Sequence, residues 1–224
     1  EHGSGDLERH GFAVIEAAGL LDGVLRELGV KPDLIAGHSI GEWSGILASR
    51  MISADGAAIF IESLERNRLV VPDVVYLAMG CSVDVAQQVI ADIDGVALSH
   101  DNCPHQAIVC GRPDAIERVR AQLRERRVLS EELSFRSGFH SRFFEPHLEQ
   151  YASTIDRAPL QRSEIPMWSA TTCAPYPADP EGARELFLEQ LVRPVRFGDL
   201  TEGLYHEGVR LFVQVCVGRV AAFW

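Results

Sequence analysis

The stretch Leu34-Ile35-Ala36-Gly37-His38-Ser39-Ile40-Gly41-Glu42 decides how this chain is read. Its first three residues are apolar, as at the end of a buried strand. From Glu42 to Ser49 the pattern is helical. Between them, Gly37-His38-Ser39-Ile40-Gly41 fits G-x-S-x-G, the pattern of a nucleophile held on a sharp strand-to-helix turn. The spacing predicts that side chains at the two glycine positions would collide with neighbouring elements. The helix that follows aims its first N–H groups and its positive dipole end at the reacting centre. Ser39 is therefore the expected nucleophile, and the backbone N–H of Ile40 the expected oxyanion donor.

Upstream, Val14, Ala17, Ala18, Leu21, Val24, Leu25 and Leu28 recur at helical spacing from Phe12 to Leu28, and Gly29 closes the helix. Downstream, Ser53 is placed to cap a helix over Ala54 to Leu64. Residues 73–135 then change character. Val74–Ala78 reads as a strand, Val83–Ile93 as a helix, Val96–Ser99 and Ala107–Val109 as strands, Asp114–Arg126 as a helix, and Val128–Phe135 as a last strand. That βαββαβ order is the order of a ferredoxin-like unit. A larger α/β pattern resumes after it, with a helix over Glu181–Leu191 and a buried strand over Val209–Val215. The expected division is a large subdomain of residues 1–72 and 136–224 interrupted by a small one of 73–135. Trp43 and Trp168 are expected in the core.

A serine nucleophile needs a base. Among the eight histidines, His38 flanks Ser39 and is placed to shape the turn or line the pocket. His140 lies in Ser137-Gly138-Phe139-His140-Ser141, where a loop leaves the small unit for the main layer, and is the expected base. His100, Cys103, His105 and Cys110 also fall close together, but their spacing fits no common zinc motif, so no metal is expected.

The bulk numbers limit the alternatives. A net charge of −11 argues against nucleic acid as a partner, and means an anionic substrate must meet local positive charge. No run of about 18 apolar residues suggests a membrane span, and no basic-then-apolar leader suggests secretion. Five scattered cysteines suit reduced thiols in a cytoplasmic protein better than a disulfide framework. Arg118, Arg120, Arg124, Arg126 and Arg127 give one helix a basic side. It reads equally as a receiver for phosphates or an acidic partner and as a solvated face with Glu117 and Glu125 between.

Gly37-His38-Ser39-Ile40-Gly41-Glu42 with Gly138-Phe139-His140-Ser141 resembles the acyltransferase domains of polyketide and fatty acid synthases and their relatives, the malonyl-CoA:acyl carrier protein transacylases. Asp101-Asn102-Cys103-Pro104 is similar to the family's Asn-Gly-Pro loop, and Leu191 to Phe197 to its Leu-x-x-Pro-Val-x-Phe segment. Val209 to Val220 resembles its closing strand and glycine loop. The resemblance implies an α/β-hydrolase-like large subdomain with an inserted ferredoxin-like one, and a Ser39–His140 dyad between them. It implies that backbone carbonyls orient His140, here from the loop near Cys216 and Val217, with no Asp completing a triad. The implied reaction is ping-pong, with no permanently bound cofactor. Acyl-CoA is the donor, and the phosphopantetheine thiol of an acyl carrier protein the acceptor, among other domains of a multidomain synthase. His38, Asn102 and Phe139 would line the acyl pocket.

The sequence departs from that family in two places. The family's Gly-Gln-Gly loop, which completes the oxyanion hole, is missing: either the sequence is a piece of a larger synthase subunit, the favoured reading, or the missing donor is replaced. The slot of the arginine that pairs with a malonyl carboxylate falls on Leu64. Arg66, Arg68 and Arg136 are the substitutes, and a bidentate guanidinium–carboxylate pair is demanding about position. Phe139 and Ile40 lean toward malonyl over methylmalonyl, while an uncharged starter unit stays open. So do a serine hydrolase or thioesterase, which would need an acid after the serine in the chain, and a docking remnant without activity.

Overall fold

The computed structural model describes residues 5–53, 55–59, 62, 73–134, 136–157 and 160–215. Helix α1 (Gly5–Glu27) leads into the two-residue strand β1 (Ile35–Ala36) and then helix α2 (Ile40–Ala48), with Ser39 on the turn between them. Residues 55–59 are helical; part of the expected 54–64 helix lies outside the described residues, as do Arg66 and Arg68. The small unit follows as β2 (Val75–Met79), α3 (Val83–Ile90), β3 (Val96–Cys103), β4 (Gln106–Gly111), α4 (Pro113–Glu125) and β5 (Ser130–Leu133). A 3-10 turn over Arg142–His147 runs into α5 (Leu148–Arg157). Then come β6 (Met167–Ser169), β7 (Ala174–Pro175), α6 (Pro180–Gln190), β8 (Val195–Arg196) and α7 (Phe197–His206).

Two sheets divide these strands. β1, β6 and β7 form one, with β1 parallel to β6. The other has the order β5-β2-β4-β3-β8. Its first four strands pair antiparallel in the order of a ferredoxin-like unit, so the fold is the α/β two-subdomain arrangement that the sequence suggested. β8 is the exception to a clean division. Although it comes late in the chain, it joins the small sheet by pairing parallel with β3, Val195 opposite His100.

β2 is buried on both faces. Val75, Leu77 and Met79 pack under α3 and α4 with Val89, Ile116, Val119 and Leu123. Tyr76 points the other way, toward Ile108 and Phe143, where the small sheet meets the large subdomain. The large core gathers Ile15, Trp43, Phe144, Ile155, Met167 and Phe187. Trp168 joins a third cluster with Phe197 and Leu200. Both expected core tryptophans are thus buried.

The Val209–Val215 run does not form the expected strand. It has no ladder partner among the described residues, and Leu211 and Val213 are 80% and 51% exposed. Apolar composition favours an extended backbone, but a strand exists only where its N–H and C=O groups find a neighbour.

Candidate active site

Ser39 takes φ 54° and ψ −117°, a conformation that favours glycine, and caps α2 from outside the helix. Gly37 is what permits it. A Cβ there would lie 2.2 Å from the Glu42 nitrogen and 2.2 Å from the Gly41 carbonyl carbon. The expectation for Gly41 is corrected: its Cβ would meet nothing within 4 Å. Gly41 is the second residue of the helix, where side chains radiate outward, so only the residue before the turn is pinched.

The Ser39 Oγ and His140 Nε2 are 2.7 Å apart. His140 comes from the far side of the chain on a loop that is itself held in place. Its φ is 61°, and its backbone N–H donates to the Leu191 carbonyl at 2.7 Å. The Tyr76 hydroxyl donates to the Phe139 carbonyl at 2.8 Å, and the Ser141 hydroxyl to the Gly138 carbonyl at 2.7 Å. The ring is fixed by Nδ1, which lies 2.8 Å from the Gln190 carbonyl oxygen. Cys216 and Val217, near which the orienting carbonyl was expected, lie outside the described residues. The end of α6 supplies an acceptor, because the last carbonyls of a helix have no partner within it.

That bond also sets the tautomer. A carbonyl only accepts, so Nδ1 carries the proton and Nε2 presents its lone pair to the Ser39 hydroxyl. Burial lowers the His140 pKa to about 4, with the Gln190 bond opposing and His38 adding to the fall. The ring is neutral at pH 7. The geometry lets Ser39 pass its proton to Nε2 as its oxygen attacks a carbonyl carbon. The first N–H of α2, on Ile40, has no acceptor within the helix.

Ser39, His38, His100, Asn102, Phe139 and His140 line one cleft of 2250 Å³. His38 Nε2 lies 2.7 Å from Asn102 Oδ1, and Asn102 Nδ2 donates to Gln106 Oε1 at 2.7 Å. The two bonds are consistent only if His38 Nε2 carries a proton. Phe139 stacks on Phe144 with centroids 4.3 Å apart, which ties its ring to the large core. Arg136 is occupied otherwise. It pairs with Glu132 at 2.6 Å and donates to the carbonyl of Leu133, a residue that lines the cleft. On the basic helix, Arg118 and Arg120 are likewise held, by Asp114 and by Glu117 and Glu132.

Two residues were not singled out by the sequence. Glu42 closes the motif and is 1% exposed. It accepts from the Tyr176 hydroxyl at 2.5 Å and from the Ala170 N–H at 3.2 Å, tying α2 to the residues around β6 and β7. Burial raises its pKa to about 7, against the lowering effect of those bonds. Its place next to the second glycine was the available signal. His100, noted only for zinc, sits against both His38 and His140. Among the described residues, no group of three or more His, Cys, Asp or Glu side chains is arranged to hold a metal.

A serine on a strand-to-helix turn, bonded to a histidine across an α/β cleft, defines a protein of the serine acyl-transfer and hydrolase class. Within that class the chain belongs to the acyl transferase domain family, which matches residues 11–217. It is 26% identical over 206 residues to the malonyl CoA-acyl carrier protein transacylase of Bacillus subtilis (strain 168), covering 87% of this chain and 64% of that protein. The chain therefore spans less than two thirds of that relative. The acyltransferase domain of the iterative polyketide synthase in enediyne biosynthesis superposes with a TM-score of 0.78 at 25% identity, over 94% of this chain and 55% of that one. The malonyl CoA-acyl carrier protein transacylase from Clostridium perfringens shares the fold, with a TM-score of 0.87 at 20% identity, over 96% of this chain and 71% of its own.

Proposed function

We propose that the chain is an acyltransferase that moves an acyl group from coenzyme A, through an ester on Ser39, to the phosphopantetheine thiol of an acyl carrier protein. The observation that carries this reading is the 2.7 Å contact from Ser39 to a His140 whose other nitrogen is committed to a carbonyl. In the first half-reaction Ser39 Oγ attacks the thioester carbonyl while His140 Nε2 takes the hydroxyl proton. The Ile40 N–H meets the oxyanion, and the C–S bond then breaks as His140 returns the proton to the coenzyme A sulfur. In the second half-reaction the carrier thiol gives its proton to His140 and attacks the Ser39 ester, and the serine hydroxyl is regenerated.

Malonyl is the favoured acyl group, on Phe139 and Ile40; an uncharged starter unit is the alternative. A hydrolase of the Ser–acid–His kind is disfavoured because the place of the acid, at Nδ1 of His140, is taken by the Gln190 carbonyl. The division into 1–72 with 136–224 and 73–135 belongs to the same reading, with β8 crossing it. So does a cytoplasmic setting within a larger synthase: the four described cysteines Cys81, Cys103, Cys110 and Cys173 are free, and no described helix is long and apolar enough to cross a membrane.

Intact mass spectrometry after mixing with malonyl-CoA, acetyl-CoA and other acyl-CoAs tests the reading. The expected result is an acyl adduct that is absent in Ser39→Ala and discharged by a phosphopantetheinylated carrier protein. Release of free acid without transfer would make the chain a hydrolase, and no adduct with any thioester would make it a docking remnant.

A further inference from the structure

The peptide unit that joins Phe139 to His140 is held from two directions. Its N–H donates at 2.7 Å to the carbonyl of Leu191, a residue of the large core. Its C=O accepts from two hydroxyls of the small sheet, Tyr76 of β2 at 2.8 Å and Ser99 of β3 at 3.4 Å. In a trans peptide these two groups point in opposite directions, so the two subdomains clamp one rigid plane between them. That plane directs the Cα–Cβ bond of His140, and with it the ring that meets Ser39 at 2.7 Å.

Every proton around the clamp has a place. The single phenol proton of Tyr76 goes to the Phe139 carbonyl, so Ser137, with its Oγ 3.2 Å away, donates to the phenol oxygen. The Ser137 oxygen in turn accepts the Phe139 N–H at 3.4 Å. On the other side Ser99 gives its proton to the same carbonyl, and His100 Nδ1 donates to Ser99 Oγ at 2.9 Å. Ser99 is the extra residue where the β3–β4 register shifts between Leu98 and His100, and it is fully buried.

Tyr76 makes the shorter of the two bonds to the carbonyl. Its ring is fully buried with Ile108, Cys110 and Phe143, which fixes where the hydroxyl points. The loop it grips is one that needs a grip, since Gly138 and His140 take φ 72° and 61°.

We propose that Tyr76 is a positioning residue: its hydroxyl, through the Phe139 carbonyl, holds His140 in line with Ser39 and ties the small subdomain to the dyad. For the substrate this rests on the acyltransferase reading above. Tyr76 also lines the cleft, so the rival role is that of a plain wall. A wall changes how tightly the thioester is held. A positioning residue changes the rate once it is bound, alike for every acyl group, because a misplacement of about 1 Å can cost about 100-fold.

Single-turnover acylation of Ser39 by malonyl-CoA and by acetyl-CoA, followed by intact mass spectrometry over a range of concentrations, tests this in wild type and Tyr76→Phe. Phenylalanine keeps the ring and removes the donor. The maximal rate is expected to fall about tenfold or more with both thioesters, while the half-saturating concentration stays within about twofold of wild type. Labelling of Ser39 by a fluorophosphonate, which needs the dyad but no coenzyme A, should slow by a similar factor in a variant that circular dichroism shows to be folded. If Tyr76→Phe does not fold, Ser99→Ala replaces it; that change removes the weaker donor from the same carbonyl, and a loss of about threefold is expected. An unchanged maximal rate overturns the proposal. So does a loss confined to half-saturation or to one thioester, which would make Tyr76 a pocket wall. A wild type that the fluorophosphonate fails to label overturns it too. Labelling that depends on Tyr76, without an adduct from any thioester, would sink the acyltransferase reading alone.

Discussion

Ser39 and His140 meet at 2.7 Å with positive φ angles on both, 54° and 61°. Each residue is held in a conformation that a side chain resists, at a cost of about 1–3 kcal/mol apiece. The surrounding bonds hold them there: Glu42 N to the Ser39 carbonyl at 2.8 Å on one side, His140 N to the Leu191 carbonyl at 2.7 Å on the other. Stability is thus spent on alignment.

The strain can be measured at Ser39. Ser39→Ala keeps the Cβ and loses the hydroxyl; Ser39→Gly loses both. Glycine accepts φ 54° freely, so Ser39→Gly should be more stable than Ser39→Ala by about 1 kcal/mol, with both unable to form an acyl adduct. Urea unfolding of the two variants checks this. Equal stabilities would mean that the turn is not strained.

The His140 pKa of about 4 sets a pH profile. The base works only when neutral, so kcat/KM for acylation should be flat from neutral pH down and fall as pH drops through about 4. An ordinary histidine would lose activity near 6.5. Stability changes over the same window. The unfolded chain binds a proton at His140 below 6.5 while the folded one does not until about 4, so this group takes away roughly 3 kcal/mol as pH falls between the two. Stopped-flow acylation with pH jumps separates the two effects. An apparent pKa near 6.5 would show that water reaches the ring.

What the sequence made legible was whatever is local. The Gly37–Glu42 turn is specified within six residues, and the βαββαβ order follows from periodicity alone. The Gln190 carbonyl was not legible, because a backbone acceptor has no side-chain signature and lies 50 residues from the ring it orients. The place of His100 against His38 and His140 was not legible either, because the register shift in β3 between Leu98 and His100 has no local sequence signature. Val209–Val215 misled for the reverse reason: its composition is that of a strand, and the missing ladder partner is not a property of the segment.

Glu42 predicts a stability change of the opposite sign to His140. Its pKa rises to about 7 in the folded chain, from an ordinary carboxyl value of 4.5. Between those values the unfolded chain releases a proton that the folded one keeps, so stability is lost as pH rises. The loss is roughly 3 kcal/mol. Glu42→Gln has no such proton to lose. Chemical unfolding at pH 5 and at pH 8 should show wild type falling more steeply than Glu42→Gln by about that amount, and parallel curves would mean that Glu42 stays ionised in the fold.

The two glycines of the motif should respond oppositely to alanine. At Gly37 a Cβ meets backbone at 2.2 Å, and the atoms it meets belong to the turn itself, so nothing can move aside without displacing Ser39. Gly37→Ala should destabilise by about 3 kcal/mol or more, or abolish labelling of Ser39 in whatever still folds. At Gly41 the space is open and the backbone is helical. Alanine there gains up to about 1 kcal/mol over glycine from helix propensity. Gly41→Ala should therefore melt no lower than wild type, and because Gly41 lines the cleft, any loss it shows should appear in KM for the thioester and not in thermal stability. A Gly41→Ala variant as unstable as Gly37→Ala would mean that the helix begins later than Ile40.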